Sequence, residues 1–173
     1  MAKPAKLAHF VLRTSDIDRL ADWYCSVLEA RVVHRNKMIS FATFDDEHHR
    51  IAFIDRGFKT GPESESNGVD HVAFTYENLE DLLSTYVRLR DQGIVPQRTI
   101  NHGMTTSMYY SDPDGNRIEL QVENFTDVQD AVDFMNGPIF EANPIGVLFD
   151  ADELVERFDA GVPEEELVRQ GES

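Results

Sequence analysis

The sequence holds a single cysteine, Cys25, among 173 residues. No disulfide can form within the chain, and a reducing cytoplasm is the expected setting. Long apolar runs are also missing. No stretch approaches the roughly 18 residues that a membrane-spanning helix needs. The opening residues, Met1 to Lys6, lead directly into a strand-like run without the apolar core of a secretory signal. Basic residues are scarce: 16 Lys and Arg stand against 32 Asp and Glu, for a formal net charge of −16. Nucleic acid is therefore excluded as the expected partner, because its phosphates would be repelled. The imbalance is concentrated late in the chain. From Val122 onward there are 14 acidic and 2 basic residues, which account for −12 of the −16. That acidic stretch reads as a solvated surface that keeps the protein soluble. Apolar residues make up 41% of the chain, enough for one compact domain or two small fused modules.

What the chain does have is an internal repeat. Leu7-Ala8-His9-Phe10-Val11-Leu12 and Val69-Asp70-His71-Val72-Ala73-Phe74 both read as short buried strands, with their histidines 62 positions apart. A helix is expected after each. Ser15 is placed to cap the first and Asn78 the second, with Asp18 and Asp81 three residues on. Ile17, Leu20, Tyr24 and Leu28 recur at helical spacing in the first, as Leu79, Leu82, Leu83, Tyr86 and Leu89 do in the second. Gly93 suits the end of the second helix. Two hairpins follow the same order. One runs from Met38 through Asp45-Asp46-Glu47 to Ile54. The other runs from Thr105 through Asp112-Pro113-Asp114-Gly115 to Gln121, where Pro and Gly mark the turn. Residues 56–68 suit a loop or linker. The expected fold is α+β: paired βαβββ modules over residues 1–126, with repeats at about 5–55 and 68–124. A helical extension over 127–173 follows.

Three residues stand out within this repeat. A lone histidine in an apolar strand is usually a satisfied core residue. His9 and His71, however, occupy matched places in two repeats, and matched residues can converge on one point. Glu119 lies between Ile118 and Leu120 in a run expected to be buried, where a carboxylate is costly unless paired or bound to a metal. Its counterpart in the first repeat is Ala52, which cannot ligate. Two histidines, one carboxylate and open positions suit non-haem Fe(II) acting on dioxygen. The same donors accept Mn(II), Ni(II) or Zn(II).

The stretch from Ser107 to Leu120 contains Tyr-x-x-x-Pro-x-Gly-Asn-x-x-Glu. With the two histidine strands, it resembles the vicinal oxygen chelate superfamily, and within it the single-module type I extradiol dioxygenases. These open catechols next to the diol. The resemblance covers about residues 5–124. It implies a curled mixed sheet around the metal, with His9, His71 and Glu119 holding Fe(II). Mn(II) is the alternative, and the partners are a catecholic substrate and dioxygen. His49, in His49-Arg50-Ile51-Ala52-Phe53, takes the place of a histidine that stabilises dioxygen and handles protons. Tyr109 takes the place of a tyrosine that hydrogen-bonds the catecholate, with Tyr110 facing the other way. His102 is the candidate for a further active-site histidine, although it stands closer to Tyr109 than the family pattern does.

Other members of the same superfamily are rivals. Glyoxalase-type isomerases bring a carboxylate from each half, which Ala52 opposes. Fosfomycin-modifying transferases lack the His49 and Tyr109 combination, and metal-free drug-binding proteins lose the ligands that this chain keeps. His34 and His48 carry no functional argument, and Cys25 reads as packing. In the extension, Asp127 to Met135 and a segment capped by Asp150 or Asp152 are expected helices. Phe134, Met135, Pro144 and Ile145 are expected to wall the substrate pocket or a subunit contact. One module leaves sheet surface to cover, so a homo-oligomer is expected.

Overall fold

The computed structural model describes residues 3–57 and 67–170. Most of the linker expected over 56–68 lies outside them. The chain is mixed α+β and divides into two compact units. The first comprises residues 1–68 with 112–116, and the second 69–111 with 117–173.

In the first unit, β1 (Phe10–Arg13), α1 (Ile17–Leu28), β2 (Arg31–Arg35), β3 (Ile39–Thr43) and β4 (Ile51–Ile54) follow the expected order. The sheet order is β1-β4-β3-β2, with β1 parallel to β4 and the other pairs antiparallel. Ile17, Leu20, Ala21, Tyr24 and Val27 form the buried stripe of α1. Val27, rather than the half-buried Leu28, completes that stripe. The cap is Asp16, not Ser15: its carboxylate accepts from the Arg19 amide at 3.0 Å. Ser15 and Asp16 are both good capping residues, and the side chain three residues before a free amide wins. The helix closes on Glu29 in the left-handed region, with φ 49°.

The second unit repeats this plan. It contains β5 (His71–Thr75), α2 (Leu79–Asp91), β6 (Arg98–Asn101), β7 (Thr105–Ser111) and β8 (Arg117–Glu123). Asn78 caps α2 as expected, accepting from the Asp81 amide at 2.9 Å. Leu79, Leu82, Leu83, Tyr86 and Leu89 are all buried, each leucine contributing about 2 kcal/mol. Gly93 follows the helix with φ 77°. The extension adds α3 (Val128–Met135), α4 (Pro138–Ala142), β9 (Val147–Leu148), α5 (Ala151–Asp159) and α6 (Glu164–Leu167). Asp127 and Asp150 cap α3 and α5. β9 joins the second sheet, whose order is β5-β8-β7-β6-β9, with β5 parallel to β8.

The two histidine segments are less buried than their apolar sequences suggest, and the first is only partly a strand: β1 begins after His9, which is exposed. Leu7 is 73% exposed, Val11 47% and Val69 84%. Leu7 and Val69 precede the strands, and Val11 lies on β1, which like β5 is an edge strand of its sheet with a sheet neighbour on one side only. Among the described residues no helix is long and apolar enough to cross a membrane.

Candidate metal centre

The strand registers place the repeat-matched residues alike. In the first sheet Val11 pairs with Ala52, and Ala52 with Phe41. In the second, Ala73 pairs with Glu119, and Glu119 with Tyr109. His9 and His71 each lie two residues before the first member of their row. Ala52 is thus the structural counterpart of Glu119, as the aligned sequences require, and Phe41 is the counterpart of Tyr109.

Within the second unit, four of the expected site residues come together. Glu119 is only 5% exposed, and two neighbours satisfy its carboxylate. His71 Nε2 lies 2.9 Å from one oxygen, and the Tyr109 hydroxyl donates to the other at 2.9 Å. Tyr109 is half-buried, and its hydroxyl is held well above the usual phenol range, by burial first and then by the negative charge of Glu119. His102 Nε2 lies 2.9 Å from the same hydroxyl. Tyr110, the next residue along β7, is buried, facing away as strand alternation demands. On its other side, the His71 ring meets Asp70, with Nδ1 and Oδ2 2.8 Å apart. Asp70 is paired in turn with Arg117.

Among the described residues no three His, Cys, Asp or Glu side chains gather as a complete metal site, but His71 and Glu119 stand as two ligands of one ion would. Two ligands at right angles around an ion, with bonds of about 2.0–2.2 Å, stand about 3 Å apart, close to the separation between His71 Nε2 and Glu119. A carboxylate on the other ring nitrogen of a ligating histidine fixes its tautomer and raises its basicity. Asp70 stands in that place. Asp70 is a site residue not among those expected, and its position directly before His71 is the signal the sequence offers for it.

The first unit gathers the remaining pair. The His9 and His49 rings meet tilted by 37° with centroids 4.5 Å apart, and Phe41 meets His49 at 4.6 Å, also tilted. His49 is half-buried, whereas His48 is exposed, with its Nδ1 2.6 Å from that of His49. The His49 pKa is lowered, by burial first and then by His9 and His48. Arg50 holds the backbone ahead of His9, donating to the carbonyls of Leu7 at 2.6 Å and Ala8 at 3.1 Å. Arg117, its repeat partner, holds Asp70 instead. The turn over residues 112–116 is tied by Asp112, which accepts from the amides of Asp114 at 2.9 Å and Asn116 at 2.8 Å. Cys25 is half-buried, and burial raises its thiol pKa.

Of the residues expected to wall a pocket, Phe134 lies over Gly103. Together with Phe125 and Ile139 it lines a cavity of about 250 Å³, whose walls include none of His71, His102, Tyr109 and Glu119, nor Met135, Pro144 or Ile145. The Ile145 side chain is exposed, but its backbone carbonyl reaches His102 Nδ1 at 2.7 Å. A main-chain acceptor of this kind carries no residue-type signature in a sequence.

A family model described as Glyoxalase/Bleomycin resistance protein/Dioxygenase superfamily matches residues 6–120. Two curated relatives from Rhodococcus globerulus match nearly the whole chain. Biphenyl-2,3-diol 1,2-dioxygenase 2 is 44% identical over 94% of this chain and 86% of its own length. Biphenyl-2,3-diol 1,2-dioxygenase 3 is 43% identical over 96% and 89%. Among solved structures, a glyoxylase/bleomycin resistance protein/dioxygenase domain from Frankia sp. matches with a TM-score of 0.58. It covers 70% of this chain and 99% of its own at 22% identity, and so supports the fold alone.

Proposed function

The chain belongs to the Glyoxalase/Bleomycin resistance protein/Dioxygenase superfamily, and on that premise we propose that it is an extradiol dioxygenase that cleaves a catecholic ring with dioxygen. The observation that carries this reading is the arrangement in the second unit, where buried Glu119 touches both His71 and Tyr109. The names of the two Rhodococcus relatives support a biphenyl diol as substrate class.

We propose His9, His71 and Glu119 as the ligands of Fe(II), a donor set that Mn(II) also satisfies. His71 and Glu119 are supported by their mutual geometry and by Asp70, and His9 by its matched place in the repeat. Bound there, Fe(II) supplies the Lewis-acid and redox centre at which catechol and dioxygen react. Tyr109 is proposed to orient the diol, its hydroxyl lying 2.9 Å from Glu119. His102, against that hydroxyl, and His49, against His9, are proposed to move protons. In the overall reaction the carbon–carbon bond beside the diol breaks and both oxygen atoms of dioxygen enter the product. The catechol is oxidised and dioxygen reduced.

Ala52 favours this reading over a glyoxalase-type isomerase. It is 3% exposed and leaves the first unit without a carboxylate at the position matching Glu119. We further propose residues 1–126 as the catalytic portion and 127–173 as an extension, a cytoplasmic setting, and a homo-oligomer. The exposed apolar residues Leu7, Val11 and Val69 on and beside the edge strands support the last of these.

The test is direct. The protein is purified without oxygen, loaded with Fe(II), and mixed in air with 2,3-dihydroxybiphenyl and with catechol. A yellow ring-cleaved product and matching oxygen uptake are expected. No colour and no uptake across a panel of catechols would overturn the proposal.

A further inference from the structure

His102 is held from outside the region that the family model covers. That region ends at residue 120, yet the Ile145 carbonyl lies 2.7 Å from His102 Nδ1. A carbonyl oxygen can only accept, so Nδ1 carries a hydrogen. Nε2 then faces the Tyr109 hydroxyl at 2.9 Å.

The segment carrying Ile145 is itself fixed. Val147 and Leu148 of β9 pair with Asn101 and Ile100 of β6. The Asn143 side chain brackets Gly146, donating to its carbonyl at 2.8 Å and accepting from its amide at 3.1 Å. Gly146 has φ +96°, and a Cβ there would lie 2.2 Å from the Asn101 oxygen and 2.8 Å from His102 Cα. Only glycine allows this backbone conformation and this approach together. Asn101 is clamped from the far end of the chain, its Nδ2 donating to the Val168 carbonyl at 2.8 Å. The connection from β6 to β7 that carries His102 is therefore gripped on both sides by the extension.

We propose that the extension is a positioning device for His102: the Ile145 carbonyl keeps the ring hydrogen on Nδ1, so that Nε2 presents its lone pair to the Tyr109 hydroxyl. Tyr109 has one hydrogen and two acceptors around it, Glu119 and His102 Nε2. With Nδ1 protonated and His102 neutral, the hydrogen can turn from Glu119 to His102 without a second proton entering. Ile145 touches no reacting atom and acts through His102. The catalytic part of this inference rests on the ring-cleavage reading; the tautomer does not.

The test uses the full chain with 15N-labelled histidine and no added metal. Long-range 1H–15N correlation spectra separate protonated from unprotonated ring nitrogens. Wild-type His102 is expected to show hydrogen on Nδ1 alone. Gly146→Ala, which pushes the strand off Asn101, and Asn143→Ala, which loosens the turn from its exposed side, are both expected to mix the two tautomers. In the Fe(II)-loaded protein each lowers kcat about tenfold and leaves KM for 2,3-dihydroxybiphenyl within about twofold, since diol binding is not altered. Asn143→Ala carries the test if Gly146→Ala does not fold. A wild-type His102 with hydrogen on Nε2, or a mixture, overturns the proposal. So do folded variants with an unchanged tautomer and unchanged kcat. A wild-type protein with the expected tautomer that cleaves no catechol leaves the positioning intact and removes the ring-cleavage reading instead.

Discussion

Ala52 lies between Val11 and Phe41 on its neighbouring strands, and Glu119 lies between Ala73 and Tyr109. The two rows have the same register and the same distance from a histidine, but different chemistry. In the first unit the row is apolar, with the Phe41 ring packed at a tilt against His49. In the second a carboxylate and a phenol take the matching places and hydrogen-bond to each other. One scaffold thus serves two purposes. The apolar row packs, while the polar row has a buried charge to satisfy and so draws in His71, Tyr109 and, through Tyr109, His102. The arginines show the same divergence: Arg50 holds backbone carbonyls ahead of His9, whereas Arg117 holds the Asp70 that meets His71.

The sharpest way to break this comparison is to give the second row the residue of the first. Glu119→Ala removes a proposed ligand and is expected to lower ring-cleavage activity about a thousandfold, the several kcal/mol that a metal's charge stabilisation supplies. Iron content and oxygen uptake measure it, and a variant retaining both rejects Glu119 as a ligand. Tyr109→Phe copies Phe41. It keeps the ring and removes the hydrogen bonds to Glu119 and His102, and kcat is expected to fall about a hundredfold. Steady-state kinetics check this, with circular dichroism confirming the fold. The smallest effect concerns the helix ends. α1 closes on Glu29 at φ 49°, while α2 is followed by Gly93 at φ 77°. Glu29→Gly makes the two ends alike and is expected to stabilise the protein by about 0.5–1 kcal/mol, read as a rise of about 2 °C in Tm.

Much of this organisation was legible in the sequence because it depends on local pattern. The spacing from His9 to Leu20 and from His71 to Leu82 located both helices, and Asp112-Pro113-Asp114-Gly115 located the turn between β7 and β8. The alignment that matched Ala52 with Glu119 is the register of the two sheets. Other features depend on neighbours that are distant in the chain. Val11 looks like a core residue until the topology places β1 at an edge, and Leu7 until the strand is seen to begin at Phe10. Ser15 and Asp16 are equally good caps on paper. The partner of His102 is a carbonyl 43 residues away, and every residue has one. Contact between His102 and Tyr109 is not legible in their spacing, which is shorter than the family pattern gives. It is the length of the connection from β6 to β7, with Gly103 at φ +90° beneath Phe134, that brings the two rings together.

The way Asn101 is gripped has a consequence for behaviour in salt. The extension carries most of the net negative charge, yet its hold on β6 uses neutral groups. Asn101 donates to the Val168 carbonyl, Gln170 to the Asn101 carbonyl at 3.2 Å, and Asn124 to the Val168 carbonyl at 3.3 Å. Mobile ions screen interactions between charges and leave amide-to-carbonyl contacts almost untouched. The grip on Asn101 is thus indifferent to ionic strength, whereas the second hold of the extension, the ion pair of Asp152 with Arg90 of α2 at 2.5 Å, is weakened as salt rises.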